Sequence, residues 1–378
     1  MVELYSRKLL SFLSALHGVR SYEGVEALHR SLPESAPGMR TLYRWQDSLG
    51  DALQFFPSVR FSALGLAHVH LFIERASPRW FSLPFAISHA WLVPRLGERV
   101  LYLHCLVPSS YVDAFQSLLK EIHSHGLCRR IFSIRSVDGW QDFGQLDGWF
   151  DSRGRLSCPP NASLVWETPR DSSAPLLEDS VLEQYPLVVP VVFEHLGHRR
   201  SLNELWQRIR VCLGKEVWRY LPRRLKRWPV NGKSHVKRAL QVMDSSGLFR
   251  QLRVEYRPLL QGALEVWLLV RMEPEMMSEF LGRLGSVAPM LEVFPGIERR
   301  TLVRVTGGPS LMYELFSLFP DGSDMTVEWF FFDKEQTRGS SEEVRFAYEL
   351  LFDPVKNEWR FPRDEILQCM GLDGGLSE

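Results

Sequence analysis

The chain has 378 residues, of which 45% are hydrophobic and 24% charged, and its 45 Lys and Arg balance 45 Asp and Glu. This composition excludes an intrinsically disordered protein, and the length is enough for several domains with their own cores. No apolar run approaches the roughly 20 residues of a membrane span, and the N-terminal segment MVELYSRKLLSFLSALHG is unlike a signal peptide, so we expect a cytoplasmic protein with no membrane partner.

Three short helical segments open the chain. Apolar residues at helical spacing predict a helix over residues 4–17, VEALHRSL predicts a second, and Pro37-Gly38 separates these from a third, MRTLYRWQDSLG. Arg40 and Arg44 lie one turn apart on the third helix. They fit an exposed helix face and contacts with DNA equally well.

A strand with strict alternation follows these helices. In HVHLFIE, His68, His70 and Phe72 fall on one face and aliphatic residues fall on the other, which predicts a half-buried strand. The order strand, helix, strand, strand, helix, strand continues to CRRIFSIRSV. This order predicts a ferredoxin-like sandwich, with helices on one face of a four-stranded antiparallel sheet.

The same order of elements recurs after a segment rich in Pro, Ser and acids. YPLVVPVVFEHLG predicts a first helix, which Pro190 should kink or shorten, and Ser201 with Glu204 forms a capping box that opens SLNELWQRIRVCLG. Ser234–Met243 predicts a third helix, and the ferredoxin-like order then runs from ALEVWLLVRM to MTVEWFFFD. Residues 321–378 hold fourteen acids against six bases, which indicates a solvated surface.

The sequence therefore predicts an α+β protein in which two winged helix-turn-helix domains alternate with two ferredoxin-like α/β sandwich domains. The predicted boundaries are 1–66 for the first winged helix-turn-helix, 67–159 for the first ferredoxin-like domain, 160–183 for a linker, 184–262 for the second winged helix-turn-helix with a basic insert, 263–335 for the second ferredoxin-like domain and 336–378 for an acidic C-terminal extension.

The most one-sided charge lies between Arg208 and Arg238, with eleven Lys and Arg against one acid, Glu216. On a neutral protein, such a stretch favours a polyanionic partner, and the helix, turn, helix and strand around it are typical of a winged DNA-binding domain. A solvated helix face with Arg stems over apolar surface is the simpler alternative. We predict double-stranded DNA as the partner. The predicted DNA-binding residues are Arg219, Arg223, Arg224, Lys226, Arg227, Lys233, His235, Lys237 and Arg238, together with Arg40 and Arg44.

Two alternatives to DNA remain open at this stage. RNA binding would require Trp218, Tyr220 and Trp228 to be exposed, because single-stranded bases stack on aromatic side chains. The near-neutral charge of residues 1–65 favours a different alternative, a ligand-sensing or protein-interaction scaffold whose winged helices bind protein.

A winged helix joined to a ferredoxin-like domain by the strand S-A-L-G-L-A-H-V-H-L-F-I resembles the Lrp/AsnC group of prokaryotic transcription regulators, in particular its divergent archaeal members. The resemblance covers most of each half and rests on architecture and on the Leu64-Gly65-Leu66 turn. It implies a transcription regulator in which the third helices, Met39–Leu49 and Ser234–Met243, read the major groove and the ferredoxin-like domains dimerise and bind a small effector. Because both units lie on one chain, we expect an intramolecular pseudo-dimer or a homodimer.

The predicted sheets each carry an aromatic face that is too large to leave in water. We expect the two sheets to stack on each other or on a partner chain, with an effector pocket or a plain aromatic interface between them. The residues predicted for this face are His68, His70, Phe72, Tyr102, His104 and Trp267, with either Trp329 or Phe330.

A search for catalytic motifs gives no enzyme signature. TGGPS and VNGKS lack phosphate-loop spacing, no G-x-S-x-G or H-E-x-x-H is present, and neither the sheet histidines nor the five cysteines have the spacing of a metal site. We therefore predict that the chain is not an enzyme and has no metal and no cofactor. Siroheme decarboxylases are built on a similar duplicated plan, but the His-Asn-Tyr type of motif associated with them is not found, which leaves tetrapyrrole chemistry as a minority alternative.

Overall fold

The structure, a computed structural model, describes residues 38, 40–41, 44–45, 53–95, 97–138, 140–143, 185–195, 202–220, 232–256, 263–288, 290–297, 299–318, 326–339 and 344–372. The strands are β1 (Leu53–Val59), β2 (Leu66–Glu74), β3 (Ala86–Val93), β4 (Val100–Pro108), β5 (Arg130–Ser136), β6 (Trp140–Phe143), β7 (Phe249–Tyr256), β8 (Leu264–Arg271), β9 (Met290–Pro295), β10 (Arg300–Gly307), β11 (Thr326–Phe332), β12 (Phe352–Asp353) and β13 (Glu358–Trp359). The α-helices are α1 (Val112–Ser124), α2 (Val188–His195), α3 (Leu202–Leu213), α4 (Lys233–Ser245), α5 (Pro274–Val287), α6 (Leu311–Leu318), α7 (Lys334–Gly339), α8 (Tyr348–Leu351) and α9 (Arg363–Cys369). Short 3-10 helices cover Phe61–Leu64, Pro78–Ser82, Ser109–Tyr111 and Gly214–Tyr220. Within these ranges, no helix has the length and apolar content that crossing a membrane requires.

Two four-stranded antiparallel sheets form the centre of the molecule. The first has the order β5-β2-β4-β3 and the second the order β11-β8-β10-β9. Both are the ferredoxin-like order, in which the first and third strands of each unit occupy the middle of the sheet. Helix α1 packs on the outer face of the first sheet, and α5 and α6 pack on the outer face of the second. The predicted α+β fold class is confirmed.

The two sheets join along both of their edges. Strand β3 pairs with β11 next to Val93 and Phe331. At the opposite edge, the end of β5 meets β9 through a bridge between Ser136 and Gly296, and β6 pairs along β9. Two backbone hydrogen bonds of 3.0 Å flank this bridge. Strand pairing therefore connects the two sheets at both edges, and the sheets enclose a common interior.

An aromatic core fills the space between the sheets. The ring centroids of Phe72 and Phe330 are 5.1 Å apart, and those of Tyr102 and Trp267 are 4.4 Å apart. Strand β2 is consequently buried on both faces from its first residue to Ile73. The prediction of a half-buried strand was wrong, because the second sheet covers the face that the alternation had left to solvent.

Helices α2, α3 and α4 pack against one another as a three-helix unit, and β7 follows them and pairs with β1 of the first half. Helix α2 begins at Val188, which places Pro190 in the first turn, where backbone N–H groups have no intrahelical partner. The helix begins three residues after Tyr185, where the predicted segment starts. Ser201 of the predicted capping box and the first two predicted helices of the chain lie outside the described residues.

The C-terminal segment 344–372 packs against the first half of the molecule. Phe346 and Tyr348 are buried in the same core as α1, and Trp359 Nε1 donates a 2.6 Å hydrogen bond to the carbonyl of Leu64. The acids of this segment had indicated a solvated surface, and Glu358, Asp364 and Glu365 are exposed, while the apolar side chains of the same segment face the protein. The domain boundaries given above stay predictions.

Candidate functional site

Polar side chains of β2 and β4 form a hydrogen-bonded group inside the aromatic core. His70 lies opposite His104 in the strand pairing, and Phe72 lies opposite Tyr102, so these side chains share the inner face. His68, His70 and His104 are 5%, 0% and 8% exposed. The histidine cluster consists of His68, His70, Tyr102, His104, Ser136 and Asp138.

Asp138, His68 and His104 form a continuous chain of hydrogen bonds. His68 Nε2 lies 2.8 Å from Asp138 Oδ1, and His68 Nδ1 lies 2.8 Å from His104 Nε2. Asp138 follows closely after β5, and it also accepts hydrogen bonds from the backbone N–H of Ser62 at 3.2 Å and from the Ser62 hydroxyl. The 3-10 helix Phe61–Leu64 therefore holds the carboxylate end of this chain in place.

The charge of Asp138 decides which nitrogen of each imidazole carries a proton. Burial raises the pKa of Asp138, but the hydrogen bond and charge of His68 and the hydrogen bonds from Ser62 outweigh burial and hold this pKa below its usual range. The ionised carboxylate only accepts hydrogen bonds, so His68 donates from Nε2. When His68 is neutral, its Nδ1 accepts from His104 Nε2, and the basic atom of His104 is then Nδ1.

His70 makes a separate pair of hydrogen bonds. Its Nδ1 lies 2.7 Å from the Tyr102 hydroxyl, and its Nε2 lies 2.8 Å from the Ser136 hydroxyl. Complete burial, followed by the charge of His68, lowers the pKa of His70 well below its ordinary value. His70 is therefore neutral at physiological pH, and its ring stacks on His104 with centroids 4.6 Å apart.

An exposed serine lies opposite His104. Strand pairing places Ser88 of β3 directly opposite His104 of β4, and directly opposed residues project from the same face of a sheet. Ser88 is exposed, whereas His104 is buried. The hydrogen-bonded chain that starts at Asp138 thus ends at a residue whose strand partner is exposed.

The second sheet holds an ion cluster where the first sheet holds the histidine pair. Trp267 lies opposite Arg304 across β8 and β10. Both carboxylate oxygens of Glu265 accept hydrogen bonds from Arg304, at 2.8 and 2.9 Å, and Glu292 accepts a third at 3.2 Å. Burial disfavours the charge on Arg304, but the two carboxylates outweigh burial and raise its pKa. The two walls of the interior therefore carry different chemistry.

The structure brings the predicted sheet-face residues together in this interior. Phe330 contributes to the inner core, whereas Trp329 packs in the outer core of the second sheet. Over the described ranges, no three His, Cys, Asp or Glu side chains are grouped so that they could hold a metal ion. The site residues that the sequence did not reveal are Ser62, Ser136 and Asp138; the available signal was a polar residue beyond a strand that pairs with the histidine strand.

The predicted DNA-binding residues of α4 lie at its surface. Lys233, Lys237 and Arg238 are exposed, and the guanidinium of Arg238 lies 5.0 Å from the ring centroid of Tyr185. His235 is half-buried, and burial followed by the charge of Arg238 lowers its pKa.

The other predicted DNA-binding residues are described only in part. Arg40 and Arg44 are exposed on helical backbone, and exposed Arg219 forms a 2.7 Å ion pair with Glu216. Tyr220 is buried and cannot stack on bases, which weakens the RNA alternative. The positions outside the described structure are Arg223, Arg224, Lys226, Arg227 and Trp228, together with the side chain of Trp218.

Neither a protein-family profile nor a curated protein matches the sequence. The chain is similar in fold to two solved structures of the siroheme decarboxylase NirDL. One covers 98% of this chain and 100% of that chain, with a TM-score of 0.47 and 10% identity. The other, in co-complex with an iron-uroporphyrin III analogue, covers 92% and 97%, with a TM-score of 0.46 and 10% identity.

This finding contradicts the prediction that the chain is not an enzyme, because both neighbours, which match nearly the whole chain, are structures of an enzyme. We withdraw that prediction. The likeness agrees with the predicted fold and gives no support to a transcription regulator. At this identity and TM-score it carries no argument about substrate, so the chemistry must come from the chain's own residues.

Proposed function

We propose that the chain is an acid–base enzyme in which His104 of the histidine cluster exchanges a proton with a small polar molecule. The observation that carries this proposal is the Asp138–His68–His104 chain, in which each hydrogen bond is 2.8 Å long, in the interior between the two sheets. A buried carboxylate and three buried imidazoles are costly to desolvate. A buried carboxylate that is hydrogen-bonded to a chain of imidazoles is characteristic of sites that move protons.

His104 is the base in this arrangement. A proton taken up at Nδ1 creates a positive charge on His104, which the carboxylate of Asp138 stabilises through the intervening ring of His68. His104 then returns the proton as an acid. Asp138 and His68 act as positioning residues, because they fix the tautomer and orientation of His104 without touching the bound molecule.

A titration of the histidine side chains by NMR tests the coupling along this chain. Asp138→Asn removes the charge that favours protonated His104, so the His104 resonances should titrate at lower pH than in wild type. Asp113→Asn, an exposed change in the first turn of α1, should leave that titration unchanged. Equal titration of His104 in wild type and Asp138→Asn would show that the two groups are not coupled.

A substrate search tests the catalytic part of the proposal. Purified protein is incubated with a small-molecule extract, and the extract is compared by mass spectrometry before and after. Wild type and His123→Gln, a change on α1, should consume the same compound, whereas His104→Gln should not. An iron-uroporphyrin III analogue serves as one defined probe, because its absorbance reports ligation by histidine. Failure to find any compound consumed in a His104-dependent manner would count against an enzyme.

A second candidate function is binding of duplex DNA by α4. It is favoured by Lys233, Lys237 and Arg238, which are exposed on the third helix of a three-helix unit and have no ion-pair partner among the described acids. If six phosphates are contacted, log K should fall against log salt with a slope of about −5. Fluorescence anisotropy should show weaker binding for Lys233→Ala/Lys237→Ala and unchanged binding for Lys120→Ala. Binding that does not respond to salt would exclude this function.

A further inference from the structure

A second cavity lies at the end of the first sheet, apart from the histidine cluster. It has a volume of about 590 Å³, which is within the range of small-molecule sites. It is formed where β2 ends, where the turn between β3 and β4 begins, and where the chain enters β5. The arginine cleft is lined by Arg75, Trp91, Glu98, Arg99, Arg129 and Asp333, among others.

Two of the three guanidinium groups in the arginine cleft form no ion pair within the described structure. Arg99 Nε lies 3.3 Å from Asp333 Oδ2, so this pair is internally neutral. The side chains of Arg75 and Arg129 are exposed and make neither an ion pair nor a hydrogen bond within the described structure. Two exposed guanidinium groups at the mouth of a cavity attract an anion.

The acids of the arginine cleft equal its arginines in number, but two of the arginines take no part in an ion pair with a described residue. Asp333 is paired with Arg99, and a Glu74 carboxylate oxygen lies 3.9 Å from a guanidinium nitrogen of Arg130, which does not line the cleft. Glu98 is exposed. The guanidinium groups of Arg75 and Arg129 therefore remain available to an anion.

Two further features at the arginine cleft are unfavourable without a ligand. Arg75 has a φ of 51°, a left-handed conformation that costs free energy in any residue with a side chain, and such strain is concentrated at binding sites. The indole N–H of Trp91 is buried and has no hydrogen-bond acceptor within the described structure. Unpaired buried donors are rare in proteins, and this one belongs to a residue that lines the cleft.

We propose that the arginine cleft binds a small organic oxyanion, a carboxylate or a phosphate ester, between the guanidinium groups of Arg75 and Arg129. The planar fork of an arginine matches both anions and binds them through two parallel hydrogen bonds. The apolar part of the ligand lies against the ring of Trp91. This site is separate from the histidine cluster and does not depend on the acid–base function.

The test uses the full chain and two simple probes, benzoate and phenyl phosphate, titrated separately. Binding is followed through the indole N–H resonance of Trp91, which is assigned with Trp91→Phe. Wild type should bind at least one probe saturably, and Arg75→Ala/Arg129→Ala should weaken binding by about tenfold or more. Arg95→Ala, which removes an exposed arginine of the β3–β4 turn whose side chain does not line the cleft, should bind as wild type does.

The outcomes of the titrations are distinguishable. Preference for benzoate identifies the natural ligand as a carboxylate, and preference for phenyl phosphate identifies it as a phosphate; both support the site. Arg75→Gly removes the guanidinium and relieves the left-handed strain, so it should lose affinity while remaining at least as stable as wild type. The proposal is overturned if wild type binds neither probe saturably, or if the double variant keeps wild-type affinity.

Discussion

Burial decides the protonation state of His70. Its two nitrogens are hydrogen-bonded to Tyr102 and Ser136, and the rings of His104 and Phe294 lie 4.6 and 4.8 Å away between centroids. Water cannot solvate a charge on this ring, and no acid is hydrogen-bonded to it within the described structure. His70 therefore stays neutral and packs against His104. It is not part of the hydrogen-bonded chain that joins Asp138, His68 and His104.

The depressed pKa of His70 predicts how stability changes with pH. The unfolded chain takes up a proton at a pKa of about 6.5, before the folded chain does, so His70 lowers the free energy of unfolding below that pH by up to about 1.4 kcal/mol per unit. Asp138 acts in another range, because its stabilisation is present above about pH 3.8 and is lost as pH falls through its lower folded value. Urea unfolding between about pH 7 and pH 5 should show a shallower pH dependence in His70→Gln.

His123→Gln is the matched control for this prediction, because it also replaces a histidine but at an exposed position on α1. Its pH dependence should follow wild type. A slope in His70→Gln equal to that of wild type would mean that His70 is protonated in the folded protein.

At the scale of elements, the junction of β5 with β9 depends on a residue without a side chain. A Cβ added to Gly296 would lie 1.5 Å from the carbonyl oxygen of Arg300. Backbone atoms cannot move aside as a flexible side chain can, so the turn between β9 and β10 would have to shift. The bridge from Gly296 to Ser136, whose hydroxyl is hydrogen-bonded to His70, would shift with it.

Gly296→Ala should therefore lower the free energy of unfolding by about 1–3 kcal/mol. Amide hydrogen exchange should also accelerate at Val137 and Ile297, whose N–H groups close this edge. Gly282→Ala on α5 is the control, since nothing lies within 4 Å of the added atom, and alanine in a helix should gain about 0.5–1 kcal/mol. Equal stability of the two variants would show that the edge is not closed as described.

Strand β2 and Asp138 show which parts of the site could be predicted from the sequence. Alternation in β2 was enough to place His68, His70 and Phe72 on one face, because a strand has a fixed period of two. Alternation does not specify what covers that face, and the cover here comes from residues more than 190 positions away, such as Trp267. Asp138 could not be predicted, because its contact with His68 depends on the pairing of β5 with β2 and on the position of Ser62.

At the scale of the whole molecule, Glu194 joins three parts of the chain. This buried carboxylate on α2 accepts hydrogen bonds from Arg208 at 3.1 Å and Cys212 at 3.1 Å on α3, and from Arg345 at 3.3 Å and Tyr348 at 3.2 Å in the C-terminal segment. Burial raises the pKa of Glu194, but its hydrogen bonds and the nearby arginines outweigh burial and lower it. The three-helix unit and the C-terminal segment are therefore linked through one charge.

Glu194→Gln should destabilise the protein by about 1.5–3 kcal/mol, the range for hydrogen bonds to a charged group. Hydrogen exchange should increase in α3 and in the C-terminal segment together. Glu279→Gln breaks an exposed ion pair with Arg283 and should stay within about 0.5 kcal/mol of wild type. Increased exchange in only one of the two segments would mean that Glu194 does not link them.

Because both sheets belong to one chain, the two walls of the interior can carry different residues. One wall carries the histidine cluster, and the other carries Arg304 fixed between Glu265 and Glu292. Two identical sheets would repeat every wall by symmetry and offer a guest molecule two equivalent orientations. Here the two walls differ, because histidines occur on one wall and a charged arginine on the other. Under the proposed function, a molecule that exchanges a proton can do so with only one of the two walls.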